Sequence, residues 1–104
     1  MPADPPVVGA DLLEPVRVII SEVLLVPRDS VRAESTLMDE LGAESIDLLD
    51  MIFRIEDIVG RRIPTSRWYE FLEDRLRGAN LARAITTAVV VEFAERERDL
   101  AARS

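Results

Sequence analysis

The chain contains no cysteine and no histidine. The first absence removes disulfides, thiolate metal sites and a thiol nucleophile. The second removes the commonest general base and metal ligand. Lysine is also missing, so all 13 basic residues are arginines, a bias of composition that carries no functional meaning of its own. No apolar run is long enough to cross a bilayer, since Val16 to Val26 is short and carries charges. The opening Met-Pro-Ala-Asp-Pro-Pro has no basic stretch and so is not a signal peptide. A cytoplasmic protein without membrane insertion is expected.

At 104 residues the chain makes one small domain, near the size below which an apolar core alone does not suffice. A net charge of -7 argues against nucleic acid and anionic membrane surfaces as partners, and for partners with basic patches. Residues 1–10 hold three of the six prolines and no periodic pattern, which predicts a disordered lead-in. A first helix is expected to begin between Asp11 and Pro15. Asp11 and Glu14 have capping-box spacing, and Pro15 alternatively suits a first helical position. Leu12, Leu13, Val16, Ile19, Ile20, Val23 and Leu24 then recur at helical spacing until Pro27. From Pro27 to Glu40 the sequence is polar and irregular, with Leu37 and Leu41 as apolar pegs that would fix a long loop to the core.

The stretch from Leu41 to Pro64 organises the rest. Gly42 gives a turn, Ser45 stands at or beside a helix N-cap, and Gly60 with Ile63-Pro64 closes the run. Leu48, Met51, Ile52, Ile55 and Val59 form one apolar face. A second face mixes Asp47, Asp50, Glu56 and Asp57 with Ile46, Leu49 and Phe53. Three large apolar residues among carboxylates are unusual on a merely solvated face, and suit brief, charge-steered docking around a small apolar anchor. Further on, Thr65 or Ser66 caps a helix of about three turns carrying Trp68, Phe71, Leu72 and Leu76, which Gly78-Ala79-Asn80 breaks. A last helix is expected from Leu81 to Glu95 or beyond. Its Thr86–Val91 stretch is β-branched and of mediocre helix propensity, but an isolated strand would have nothing to pair with. The Arg96–Asp99 stretch and residues 101–104 are expected to fray.

Gly42-Ala43-Glu44-Ser45-Ile46-Asp47 resembles the Gly-x-Asp-Ser-Leu-Asp signature of the acyl carrier proteins. The resemblance implies an all-α four-helix bundle with a long loop between its first two helices, the carrier domain spanning residues 11–100. It implies 4'-phosphopantetheine, taken from coenzyme A, joined to the Ser45 hydroxyl through a phosphodiester. Glu44, Asp47, Asp50, Glu56 and Asp57 would be the acidic recognition residues, and Ile46, Leu49 and Phe53 the apolar contacts. The partners implied are a phosphopantetheinyl transferase, an acyl-loading enzyme, and ketosynthase- and acyltransferase-type enzymes, met by a monomeric carrier. Arg54 departs from the small neutral residue usual on this helix, and would reduce its negative charge. The Ile63-Pro64-x-x-x-Trp68 junction and long tail are similar to specialised carriers that deliver very-long-chain acyl groups to lipid A. Trp68 as a plain core anchor is the alternative there.

A carrier of this kind catalyses nothing; it needs an exposed serine at a helix start and a docking surface. No catalytic or metal-binding set is expected, because the carboxylates lie on one convex helix face. Leu48, Ile52, Ile55, Phe71, Leu76, Ile85 and Val89 would line a space for the acyl chain, or form an ordinary core. A peptidyl, aminoacyl or polyketide carrier of a secondary-metabolite pathway is the alternative within the same fold. An unmodified helical interaction module, in which Ser45 only caps its helix, is the alternative outside it.

Overall fold

The computed structural model describes residues 8–103, and side chains from Leu12 onward. Its order is α1 (Val8–Leu24), a 3-10 turn (Arg28–Ser30), α2 (Ser45–Val59), α3 (Thr65–Arg75), α4 (Leu81–Ala84) and α5 (Thr87–Arg103). The architecture is all-helical, as expected. The backbones of α1, α2 and α5 approach one another most closely and enclose the core, while α3 lies against α2.

α1 begins at Val8, ahead of the start expected between Asp11 and Pro15, and Pro15 sits inside it. Proline removes only its own N–H, and two turns of helix precede it without a break. Residues 8–10 of the expected lead-in are therefore helical; the remainder of that lead-in lies outside the described residues. Leu12, Val16, Ile19 and Ile20 are buried, with Leu13, Val23 and Leu24 packed beside them. The helix ends in a left-handed residue, Leu25 at φ 57°, a position where glycine is usual. The Val26 amide donates to the Ser21 carbonyl at 3.1 Å and the Ser21 hydroxyl donates to the Val26 carbonyl at 2.6 Å. These two bonds close the end of the helix.

The long loop is fastened at both ends. Arg17 donates from Nε to the Val31 carbonyl at 2.6 Å and from Nη2 to the Arg28 carbonyl at 2.8 Å, which ties the 3-10 turn to α1. Val31 and Leu37 are fully buried. Leu37 is thus the peg the sequence suggested, and Leu41 packs half-buried against the core.

The expected single helix from Leu81 onward is two. α4 stops at Ala84, Ile85 and Thr86 are extended, and α5 starts at Thr87. Thr36 and Thr86 form an antiparallel bridge. Leu37 N–H donates to the Ile85 carbonyl at 3.0 Å, Thr87 N–H to Ser35 at 3.0 Å, and Ala88 N–H to Ala33 at 2.9 Å. The β-branched pair at the break therefore does find a partner, the long loop, and the loop's backbone groups are satisfied by it. α5 then runs to Arg103. The Arg96–Asp99 stretch does not fray, because Glu97 is buried and gripped by Arg67 of α3. Of the expected frayed tail, Ser104 lies outside the described residues.

Trp68, Phe71 and Phe93 form a ring cluster, with Trp68 and Phe93 edge-on at 5.1 Å and Phe71 and Phe93 at 5.2 Å. Each such pair adds about 0.5–1.5 kcal/mol beyond its buried area. Trp68 is 1% exposed, so it anchors the core.

Two side chains on α5, Thr87 and Glu95, each have a buried oxygen without a hydrogen-bond partner among the described residues. Glu95 has a buried carboxylate oxygen with no hydrogen-bond partner, and burial raises its pKa from the ordinary 4.5. Between the unfolded and the raised folded pKa the native state holds the extra proton, so this group weakens folding as pH rises. Glu95→Gln is expected to raise the urea midpoint at pH 7 and to lose that advantage as pH falls below 4.5.

Candidate functional site

The turn ahead of Ser45 is built from a short wound segment. Glu40 and Leu41 amides donate to the Thr36 carbonyl at 3.1 and 3.2 Å, and Gly42 N–H donates to Met38 at 3.2 Å. Thr36 and Glu40 clasp each other: the Glu40 carboxylate accepts from the Thr36 amide at 2.7 Å and hydroxyl at 3.1 Å, and the Thr36 hydroxyl accepts the Glu40 amide at 3.1 Å. The Thr36 backbone bond holds the Glu40 carboxyl below its ordinary pKa. Gly42 takes φ +76°, a left-handed conformation that any side chain would strain, and reverses the chain. Ala43 N–H then donates to the Leu37 carbonyl at 2.8 Å. Leu37 is itself held by Ile85, so the segment leading to Ser45 is tied to the α4–α5 junction.

The N-cap of α2 is Glu44, in extended conformation at φ -104° and ψ 168°, and Ser45 is the first helical residue. Asp47 bends back so that its carboxylate accepts the Glu44 amide at 2.8 Å. That bond fixes the helix start without the Ser45 hydroxyl. Ser45 is exposed, and its hydroxyl makes no hydrogen bond among the described residues. The serine beside the cap is thus free of the capping role that would be its ordinary structural use.

The α2 face predicted for docking divides into three kinds of residue. Ile46 and Phe53 are each 70% exposed, two turns apart on one face, with none of the described residues covering them. Leu49, between them, is half-buried and packs on the core. It is therefore a weaker candidate contact than its two neighbours. The carboxylates are more committed than the sequence suggests. Asp47 serves the helix start. Glu56 accepts the Ile63 amide at 2.8 Å and holds the corner between α2 and α3. Asp50 pairs with Arg54 at 3.2 Å, and Arg54 also reaches Glu22 of α1 at 3.5 Å. Asp57 is exposed and has no ion pair among the described residues. Arg54 thus stitches α2 to α1 across the surface as well as lowering the charge.

Residues 14–72 match the family model described as phosphopantetheine attachment site. The chain belongs to the acyl carrier protein family. Among curated relatives, acyl carrier protein AcpXL of Brucella melitensis is 40% identical over 50 residues, covering 48% of this chain and 54% of that protein. AcpXL of Rhizobium meliloti is 38% identical over 50 residues, covering 48% and 53%. The acyl carrier protein of Campylobacter hominis is 34% identical over 56 residues, covering 54% of this chain and 71% of that protein. The chain spans about half the length of the AcpXL relatives that it matches.

The family's cofactor, 4'-phosphopantetheine, fits the geometry at Ser45. The hydroxyl is exposed and uncommitted, and the Ser45 and Ile46 amides at the helix start make no hydrogen bond among the described residues. Such amides and the helix dipole suit a phosphodiester. What the sequence missed is the Thr36–Glu40 clasp and the Ile85 tie, which hold the carrier's serine turn. Thr36 and Glu40 stand four apart in a polar loop, a spacing that gives no distinctive signal.

Because Asp47, not Ser45, holds the amide of the Glu44 cap, the two positions respond differently. Ser45→Ala is expected to leave stability within about 0.5 kcal/mol of the native chain. Asp47→Ala is expected to cost about 1 kcal/mol. Urea unfolding of the unmodified protein measures both, and a cost at Ser45 equal to that at Asp47 would return the hydroxyl to a capping role.

Proposed function

We propose that this protein is a non-catalytic acyl carrier whose attachment residue is Ser45. The observation that carries this reading is the free, exposed hydroxyl at the first position of α2, within the segment that matches the family. A transferase presents coenzyme A to that hydroxyl and supplies the base and metal, so the carrier contributes position alone. The arm, when attached, supplies a terminal thiol that holds acyl groups as thioesters. Ser45 and the first-turn amides would hold its phosphate end, and Asp47 keeps the helix start in register.

Ile46 and Phe53 form the apolar anchor of the docking face, and Asp57, Glu44 and Asp50 supply negative charge around it. Partners would be the transferase, an acyl-loading enzyme, and ketosynthase- and acyltransferase-type enzymes with basic entry surfaces. Such steering speeds both encounter and release, which suits a shuttle. The AcpXL relatives favour the branch that serves lipid biosynthesis with very long chains. A cytoplasmic location follows from that reading.

The deciding test is intact mass after incubation with coenzyme A and a broad-specificity phosphopantetheinyl transferase. One added arm is expected on the native chain and none on Ser45→Ala; no addition to the folded native chain would overturn the proposal. In the same assay Phe53→Ala is expected to slow modification roughly tenfold at limiting carrier concentration, as loss of a central apolar anchor does. An unchanged rate would remove Phe53 from the docking face.

A further inference from the structure

Leu25 breaks two rules at once. Among the described residues it is the only one other than glycine at positive φ, at 57°. It is also the most exposed of their large apolar side chains, at 88%. Its Cβ is crowded in this conformation, which glycine would adopt freely. An apolar side chain left in water also returns no burial energy to the fold. The turn is nonetheless tightly held, by the bonds between Ser21 and Val26 that enclose Leu25. A strained residue from which the fold gains nothing points to a use outside the fold.

The surroundings of Leu25 continue the face of α2. Glu22, three residues before it, reaches Arg54 at 3.5 Å, and Arg54 directly follows the exposed Phe53. Arg54 also pairs with Asp50 at 3.2 Å, so its guanidinium spans from one helix to the other. A groove of about 390 Å³ is lined by both helices, with Val18, Ile19 and Ile58 apolar and Glu22, Arg54 and Asp57 charged. Three carboxylates, Glu22, Asp50 and Asp57, stand against the single guanidinium of Arg54, so the surface is negative overall. It complements a basic surface that presents apolar side chains.

We propose that the docking surface for the phosphopantetheinyl transferase extends from α2 across Arg54 onto α1. There Leu25 is a further apolar anchor, and the groove receives an apolar side chain of the transferase flanked by basic ones. The proposal rests on the carrier reading, and gives α1 a part in it that the α2 face alone does not require. Anchors on two helices fix the angle of approach, which contacts along a single helix leave free to roll.

Leu25→Gly separates this role from a structural one. Glycine relieves the backbone, so the urea midpoint of the unmodified chain is expected to rise. With coenzyme A and the broad-specificity transferase, the same variant is expected to lose roughly fivefold in kcat/KM. Leu25→Met, which stays apolar, is expected to keep the native rate. When the transferase is added without coenzyme A to isotope-labelled protein, the Val18, Glu22 and Leu25 amide resonances are expected to shift together with those of Ile46 and Phe53. A lower urea midpoint for Leu25→Gly would make Leu25 a structural residue and overturn the proposal. Equal rates for the native chain and Leu25→Gly, or shifts confined to α2, would overturn the α1 surface and leave Ser45 as the attachment residue. No modification of the native chain would overturn the carrier reading itself, and this extension with it.

Discussion

The backbone pairing between residues 33–37 and 85–88 is the constraint on which the serine turn depends. Twenty residues separate the end of α1 from the start of α2, and a connection that long has many conformations to lose. Arg17 holds its near end through two carbonyls. The far end is held by Ile85, in the break between α4 and α5, and by Thr87 and Ala88 at the start of α5. Breaking the helix between Ala84 and Thr87 forgoes some helical bonds, but the freed groups bond to the loop, so few are left unsatisfied. Leu37 links this pairing to Ala43, two residues before Ser45. The position of an exposed hydroxyl is therefore set by the opposite end of the sequence.

The acidic face of α2 shows how one set of charges serves two purposes. Read as surface, Asp47, Asp50, Glu56 and Asp57 make a negative field. Read as structure, Asp47 closes the helix start, Glu56 closes the corner after it, and Asp50 engages Arg54. A carboxylate that accepts a backbone N–H remains negative, so its field still reaches an approaching basic partner. Rearranging it to make a new contact would leave that N–H unpaired. The carboxylates are thus engaged within the fold, while Ile46 and Phe53 stay exposed beside them.

Much of this was legible in the sequence, and the reasons differ by element. α2 begins at Ser45, one residue past its Glu44 cap, and is followed by Gly60 in the left-handed conformation, which a glycine adopts for local reasons. Its buried set, Leu48, Met51, Ile52, Ile55 and Val59, is the one its periodicity gives. α3 was plain in extent but not in its cap: Thr65 is its first helical residue, and Pro64, not Thr65 or Ser66, stands at the cap. The break at Ile85–Thr86 was signalled by β-branching, yet its partner lies some fifty residues away in a loop with no strand pattern. Local propensity registers that tension without resolving it. Glu97 was hidden more thoroughly. In Arg96-Glu97-Arg98-Asp99 it looks like any solvated charge, and only the approach of Arg67 from α3 turns it inward. The start of α1 was misplaced because a proline usually marks a boundary, and here it does not. At Ser45 the helix start was legible and the freedom of the hydroxyl was not: that depends on Asp47 holding the Glu44 amide.

The bundle therefore pairs a firm frame with a lightly held side. α1, α2 and α5 meet through their backbones and aliphatic faces, where separation exposes large apolar area. α3 meets α5 through rings and two ion pairs of unequal burial. Replacing Arg67–Glu97 by apolar side chains of similar size would hold that contact at least as well, since desolvation offsets most of a buried pair's attraction. What an ion pair adds is direction. The planar guanidinium fixes the angle at which α3 meets α5, and an apolar contact in its place would let the helix slide. The two ends of α3 are thus held unequally, and its angle is set at the end where burial makes the pair strong.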